Sequence, residues 1–253
     1  MRYRARVEYD GTDFAGFQAQ ARSRTVQGEL EAALATLSGG SRVRIDAAGR
    51  TDAGVHATGQ VIAFTYTGRL SAEELARALG ALLPPDVAIS DLRRAPIGFH
   101  PRHDARYREY RYTVWNGPRS PLHERTAAWI RFPLDTAAMA RAATALEGRH
   151  DFRAFGAGGR GSVRTIHRVR VRRTGHLVTI DVRGDAFLRG MVRRIAAALL
   201  LVGRGEVDEE AVGAALESRR PAFDGASAPA KGLCLRHVAL GRRRGGEMRN
   251  GDR

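Results

Sequence analysis

The residues best placed to do chemistry are in Gly49-Arg50-Thr51-Asp52-Ala53-Gly54-Val55-His56-Ala57. One carboxylate, Asp52, stands between two glycines with Arg50 two residues before it. Such a run cannot continue an apolar stripe, and paired glycines suit a tight, exposed backbone. An acid presented on a loop by a rigid scaffold is a common catalytic arrangement. The plain alternative is an Asx-type turn with a solvated ion pair. A working acid in a cleft needs a partner that keeps it ionised, and Arg193 is the candidate. The stretch from Phe187 to Val202 reads as a helix with Leu188, Met191, Val192, Ile195 and Leu199 on one stripe. Arg189 and Arg193 lie away from that stripe, which also suits a solvated basic face.

A second candidate surface is the strand Arg106-Tyr107-Arg108-Glu109-Tyr110-Arg111-Tyr112. Period two places Tyr110 and Tyr112 on the face of Arg106 and Arg108. Aromatic rings beside guanidiniums stack bases and hold phosphates, although tyrosines also simply pack half-buried sheets. Arg160 to Arg173 adds a basic stretch around Arg164-Thr165-Ile166, read as a phosphate-contacting strand. Asp10 and Asp13 invite a metal reading with Asp52, but Asp10-Gly11-Thr12-Asp13 is turn chemistry without ordered ligand spacing. No metal site is therefore expected. His56 suits a general acid or a structural hydrogen bond, and His100 and His103 flank Pro101 in a connecting segment.

The elements that must position these residues follow from periodicity. Strands are expected at Arg4 to Tyr9, Val43 to Ala47, Gln60 to Tyr66 and Val87 to Leu92, with helices capped by Thr25 and Ser71. The second half repeats the theme: a strand at Tyr107 to Trp115, a helix from Leu134 to Glu147, and strands at Ile166 to Arg173 and Leu177 to Arg183. Helices at Phe187 to Val202 and Asp208 to Glu217 follow, before a strand at Leu233 to Leu240. The expected fold is α+β, in two related halves, each an antiparallel sheet with helices on one face and a cleft between them. Residues 1–103 form the half carrying the Asp52 loop. Residues 104–240 carry the tyrosine strand and the arginine helix. The Arg-rich tail, 241–253, has no apolar pattern and is expected to be disordered.

Composition narrows the partners. The 253 residues hold 42 Lys plus Arg against 27 Asp plus Glu, a net charge of +15, which favours polyanions and above all nucleic acid. Lys231 is the only lysine. A biased genomic base composition explains that ratio but not the net charge. The single cysteine, Cys234, excludes an intrachain disulfide or a cysteine-rich zinc site, and in Leu233-Cys234-Leu235 it reads as a small buried hydrophobe. Neither a signal peptide nor a membrane span is evident, so a cytoplasmic protein is expected. No dinucleotide or phosphate-loop motif occurs, and no cofactor is expected.

Taken together these segments closely resemble the TruA family of tRNA pseudouridine synthases. The resemblance starts at Tyr9-Asp10-Gly11-Thr12-Asp13-Phe14-Ala15-Gly16-Phe17-Gln18 and continues through Thr25-Val26-Gln27-Gly28-Glu29-Leu30-Glu31 and Gly49 to Ala57. It runs on in Phe99-His100-Pro101-Arg102, Tyr110-Arg111-Tyr112, Asp151-Phe152, Arg164-Thr165-Ile166 and Met191-Val192-Arg193, ending near Gly232-Leu233. It implies Asp52 as the catalytic aspartate, Tyr110 as the ring stacked on the target uracil, and Arg193 as the aspartate's partner. Arg50 would help hold a flipped nucleotide, with Arg102 and Arg164 as further substrate contacts. It further implies a homodimer in which one tRNA spans both subunits, and targets at tRNA nucleotides 38, 39 and 40. Pro101 and Ala197 depart from the family's usual alanine and glycine. The rivals are a tRNA chaperone without catalysis, which leaves Asp52 unexplained, and an aspartate-dependent nucleotide hydrolase, which needs a second carboxylate or a metal.

Overall fold

The computed structural model describes residues 1–157, 161–218 and 220–241. Arg160 and the tail beyond Gly241 lie outside the described residues. The α+β expectation holds. The strands are β1 (Arg2–Tyr9), β2 (Ile45–Ala47), β3 (His56–Thr65), β4 (Val87–Arg94), β5 (Ala105–Trp115), β6 (Ala128–Trp129), β7 (Gly148–Asp151), β8 (Val163–Thr174), β9 (Leu177–Gly184) and β10 (Leu233–Leu240). They join in one sheet of order β4-β1-β3-β10-β5-β9-β8-β7, with β2 on β3 and β6 on β5. The N-terminal strands and the C-terminal strands meet through β10, which runs parallel to β3 and antiparallel to β5. The two halves thus share a single sheet, stitched by the last strand of the chain.

Strand alternation decides which face is covered. In β1, Tyr3, Ala5, Val7 and Tyr9 are buried, and in β5 Arg108, Tyr110, Tyr112 and Val114 are. Helices α1 (Val26–Leu37), α2 (Ala72–Leu82), α3 (Thr136–Ala143), α4 (Met191–Gly203) and α5 (Ala211–Ser218) complete the core with Leu30, Leu34, Leu75, Leu79, Met139, Ile195 and Leu199. The expected caps are present. The Thr25 hydroxyl accepts from the Gly28 amide, and Ser71 forms a capping box with Glu74. The segment from Leu134 is shorter than expected: Asp135 caps α3 and a 3₁₀ turn, Thr144–Leu146, ends it.

Two shifts of element boundary bear on the site. β3 starts at His56 rather than Gln60, because His56 and Ala57 pair with Cys234 and Leu235 of β10, a partner remote in sequence. The helix expected from Phe187 starts instead at Met191. Gly190 at φ 71° adopts a left-handed turn that breaks the helical path. Arg189 therefore does not share a helical face with Arg193; its main chain bridges to Ala157.

Candidate active site

The Asp52 loop is short, and the chain around it fixes it through its own backbone. The Ala48 amide donates to the Val61 carbonyl at 2.8 Å, and the Gln60 side chain donates to the Gly49 carbonyl at 2.9 Å. The Asp10–Phe17 segment braces the other side. Phe17 N–H donates to Thr51 O at 3.1 Å and Gly54 N–H to Phe14 O at 3.3 Å. The buried Tyr9 and Thr51 hydroxyls lie 2.8 Å apart. Gly11 has no room for a side chain: a Cβ there would stand 2.0 Å from the Val55 carbonyl oxygen. The Gly11 amide also lies 3.0 Å from His56 Nδ1, which is 3.2 Å from Asp10 Oδ1 as well, while Nε2 is 3.2 Å from Lys231 O. Buried, and with both ring nitrogens engaged, His56 fits the structural reading.

Asp52 is partly open to solvent, its side chain 36% exposed, and Arg193 stands beside it with an Nη1 to Oδ2 distance of 4.0 Å. That separation is the outer edge of an ion pair. The guanidinium is oriented instead by its Nε, which donates to Ala228 O at 2.8 Å, while the Ala228 amide donates to Arg193 O at 3.1 Å. Arg193 thereby ties the first turn of α4 to the 226–232 segment, where Pro229 O accepts from Tyr112. An arginine held in this way presents a fixed positive charge to the carboxylate.

Tyr110 is buried, edge-on to Phe187 with ring centroids 5.1 Å apart, and its hydroxyl lies against Gly49. Burial pushes its pKa up to about 12, with the Arg108 charge opposing and Asp52 reinforcing the rise. The phenol is neutral at physiological pH. The remaining sequence candidates are dispersed. Arg50 is exposed, two residues before Asp52. Arg102 is exposed in the connecting segment, and its carbonyl is held by Arg108. Arg164 is turned back on its own chain, with Nη1 donating to Val163 O at 2.7 Å and Gly161 O at 3.2 Å. Asp10 and Asp13 both meet Arg125, at 2.9 and 2.8 Å. Pro101 is buried, and Ala197 is partly buried against the core.

Arg108 is the main residue that sequence reasoning underrated. Only 8% exposed, it donates to Ala48 O through Nε at 3.1 Å and Nη2 at 2.7 Å, to Asp185 O at 2.7 Å and to Arg102 O at 2.9 Å. It knots the start of the Asp52 loop, the Arg102 segment and the turn leading to Phe187. The one signal available in sequence was its parity with Tyr110 and Tyr112: a charge on the inward face of a strand needs buried partners.

Comparison with known proteins gives the family. Residues 5–104 and 142–239 match the model of a family described as tRNA pseudouridine synthase. The chain belongs to the tRNA pseudouridine synthase family. It is 43% identical over 236 residues to tRNA pseudouridine synthase A of Geotalea uraniireducens, an alignment covering 92% of this chain and 96% of that relative. It is 44% identical over 237 residues to the protein of the same name from Pelobacter propionicus, covering 92% and 97%. The identity to the Thermotoga maritima protein of that name is 42% over 237 residues, covering 92% and 96%. The family resemblance carried by the motifs is therefore correct, and this family member has its Asp52 loop, Tyr110 and Arg193 in one place.

Proposed function

We propose that the chain isomerises uridine to pseudouridine in the anticodon arm of tRNA, at nucleotides 38, 39 and 40. What supports this reading is that Asp52 lies beside Arg193, with the Tyr110 hydroxyl against the same loop at Gly49. The reaction breaks the bond from N1 of uracil to C1′, turns the base, and rejoins it through C5. Atoms are conserved and no redox change occurs, so side chains alone can carry it. The target uridine must leave its stack, at a cost of a few kcal/mol. Stacking on Tyr110 offsets part of that cost, and Arg50, Arg102 and Arg164 hold flanking phosphates.

Asp52 acts as a carboxylate, by attack on C1′, by removal of the C2′ proton, or by attack on C6. Arg193 supplies a fixed positive charge beside it, 4.0 Å away. Tyr110 enters as a neutral phenol, so any removal of the C5 proton through its oxygen requires its own proton to move on. The enzyme works in the cytoplasm as a homodimer, with one tRNA reaching both subunits. The test is purified protein with an unmodified tRNA transcript, mapping pseudouridine by carbodiimide labelling and primer extension. Stops in the 3′ side of the anticodon arm are expected with the native chain and none with Asp52→Asn, which should still bind tRNA. Appreciable product from Asp52→Asn would overturn the assignment.

A further inference from the structure

The face of the sheet away from Tyr110 carries a second charged feature. β3 and β10 touch at Gly59, where an added Cβ would lie 2.2 Å from Arg236 O, and their ladder extends only over His56 and Ala57. Where the two strands part, a groove of about 310 Å³ opens along β1 and β4. Arg4, Arg6, Arg93 and His237 line it, over apolar surface from Val61. Arg4 and Arg6 project opposite to the buried Tyr3, Ala5 and Val7, and Arg93 stands across from Arg4 in the strand register. Three guanidiniums thus face one carboxylate, Asp91, which sits 3.3 Å from Arg6. Asp91 occupies a bulge of β4 at φ 53°, a backbone state unfavourable for an aspartate without compensation.

The positive charge here is incompletely answered. Arg4 Nε is buried and has no hydrogen-bond partner among the described residues. Burial and the like charge of Arg93 hold the Arg4 guanidinium below its usual range, with Asp91 opposing. An anion in the groove would offset the repulsion between Arg4 and Arg93. Residues two apart on a strand are separated by about 6.7 Å, and neighbouring strands by about 4.8 Å, so the three forks span more than one small anion. Repeated phosphates along a nucleic-acid backbone fit that spacing, and the net charge of +15 favours them.

We infer that this groove binds consecutive backbone phosphates of tRNA, on the sheet face away from the catalytic cleft. The inference rests on the tRNA reading above. The groove would add sequence-independent affinity and help set the orientation of the RNA body.

The experiment measures binding of the full-length protein to a tRNA transcript at a series of KCl concentrations. Arg6→Gln/Arg93→Gln, at exposed positions, should weaken binding about tenfold and flatten the log–log salt slope by about 1.4 to 1.8, two phosphate contacts' worth. Asp91→Asn removes the acid that lines the groove while keeping a residue that tolerates positive φ, and should tighten binding about two- to fivefold. A gain of affinity cannot come from misfolding. Affinity within about 1.5-fold of the native chain and a salt slope within about 0.3 of it, in both variants, would overturn the inference. So would a melting temperature raised by inorganic phosphate only in the native chain, with tRNA binding identical in all three proteins; the groove would then take free phosphate. Absence of pseudouridine formation by the native chain would instead count against the catalytic reading, independently of these slopes.

Discussion

Replacing Arg108 with Met should destabilise the protein and disorder its active loop at once. The Met side chain fills much of the same space but donates nothing. Three main-chain oxygens, at Ala48, Arg102 and Asp185, lose the guanidinium. A buried acceptor left without its donor costs about 1–3 kcal/mol, in full at the Ala48 oxygen and in part at the half-buried Asp185 and Arg102 oxygens, about 2–4 kcal/mol together. Removing a desolvated charge returns some energy, and losses from breaking one side of a buried polar pair cluster at about 3–5 kcal/mol. For a chain of this size each kcal/mol lowers Tm by about 2–4 °C, so a drop on the order of 10 °C is expected. Thermal and urea unfolding of Arg108→Met, with Arg108→Lys alongside, measure it. Lysine cannot reach three carbonyls with one ammonium and should recover under half of the loss. A destabilisation below about 1 kcal/mol for Met would refute the idea that Arg108 ties the three segments together.

Stability should also fall steeply in alkali. Burial raises the Tyr110 pKa to about 12, and raises Tyr9 and Tyr112 as well. An unfolded tyrosine releases its proton near pH 10, so between about pH 10 and 12 the folded chain holds protons that the unfolded chain has lost. Tyr110 alone accounts for about 2–3 kcal/mol, present below pH 10 and lost as pH climbs through 12. Urea titrations at pH 9 and 11.5 read the difference, and Tyr110→Phe should reduce it; identical curves for the two proteins would refute that share. Gly11→Ala should displace the Val55 carbonyl, since its methyl would start 2.0 Å away. Overpacking of this kind costs about 1–3 kcal/mol, and a shift of the adjacent Asp52 by even part of an ångström should lower turnover at least about tenfold. A fully active Gly11→Ala would show that the loop is not positioned from Gly11.

Much of the site was legible in the residues. The Asp52 loop announced itself because glycines and a lone acid have no place in a packed stripe. Thr25 and Ser71 announced their helices because caps are local chemistry. β5 was readable because alternation is a two-residue signal, and it even placed Arg108 beside Tyr110. Two boundaries failed for different reasons: β3 starts at His56 because its partner β10 is remote in sequence, and Gly190 breaks the stripe that Phe187 and Leu188 seemed to continue.

The sequence by itself determined the α+β class, the basic character, the strand and helix types, and the motif residues of the family, because these depend on propensity, period and charge within a few residues. Only the tertiary structure decided that the last strand enters the middle of the sheet and joins its two halves, that His56 is held between the Gly11 amide, the Asp10 carboxylate and the Lys231 carbonyl, and that Ala228 holds Arg193 beside Asp52. Each of these contacts closes a loop of tens to well over a hundred residues. The free energy that selects them comes from burial and hydrogen bonding between distant segments, which no local pattern encodes.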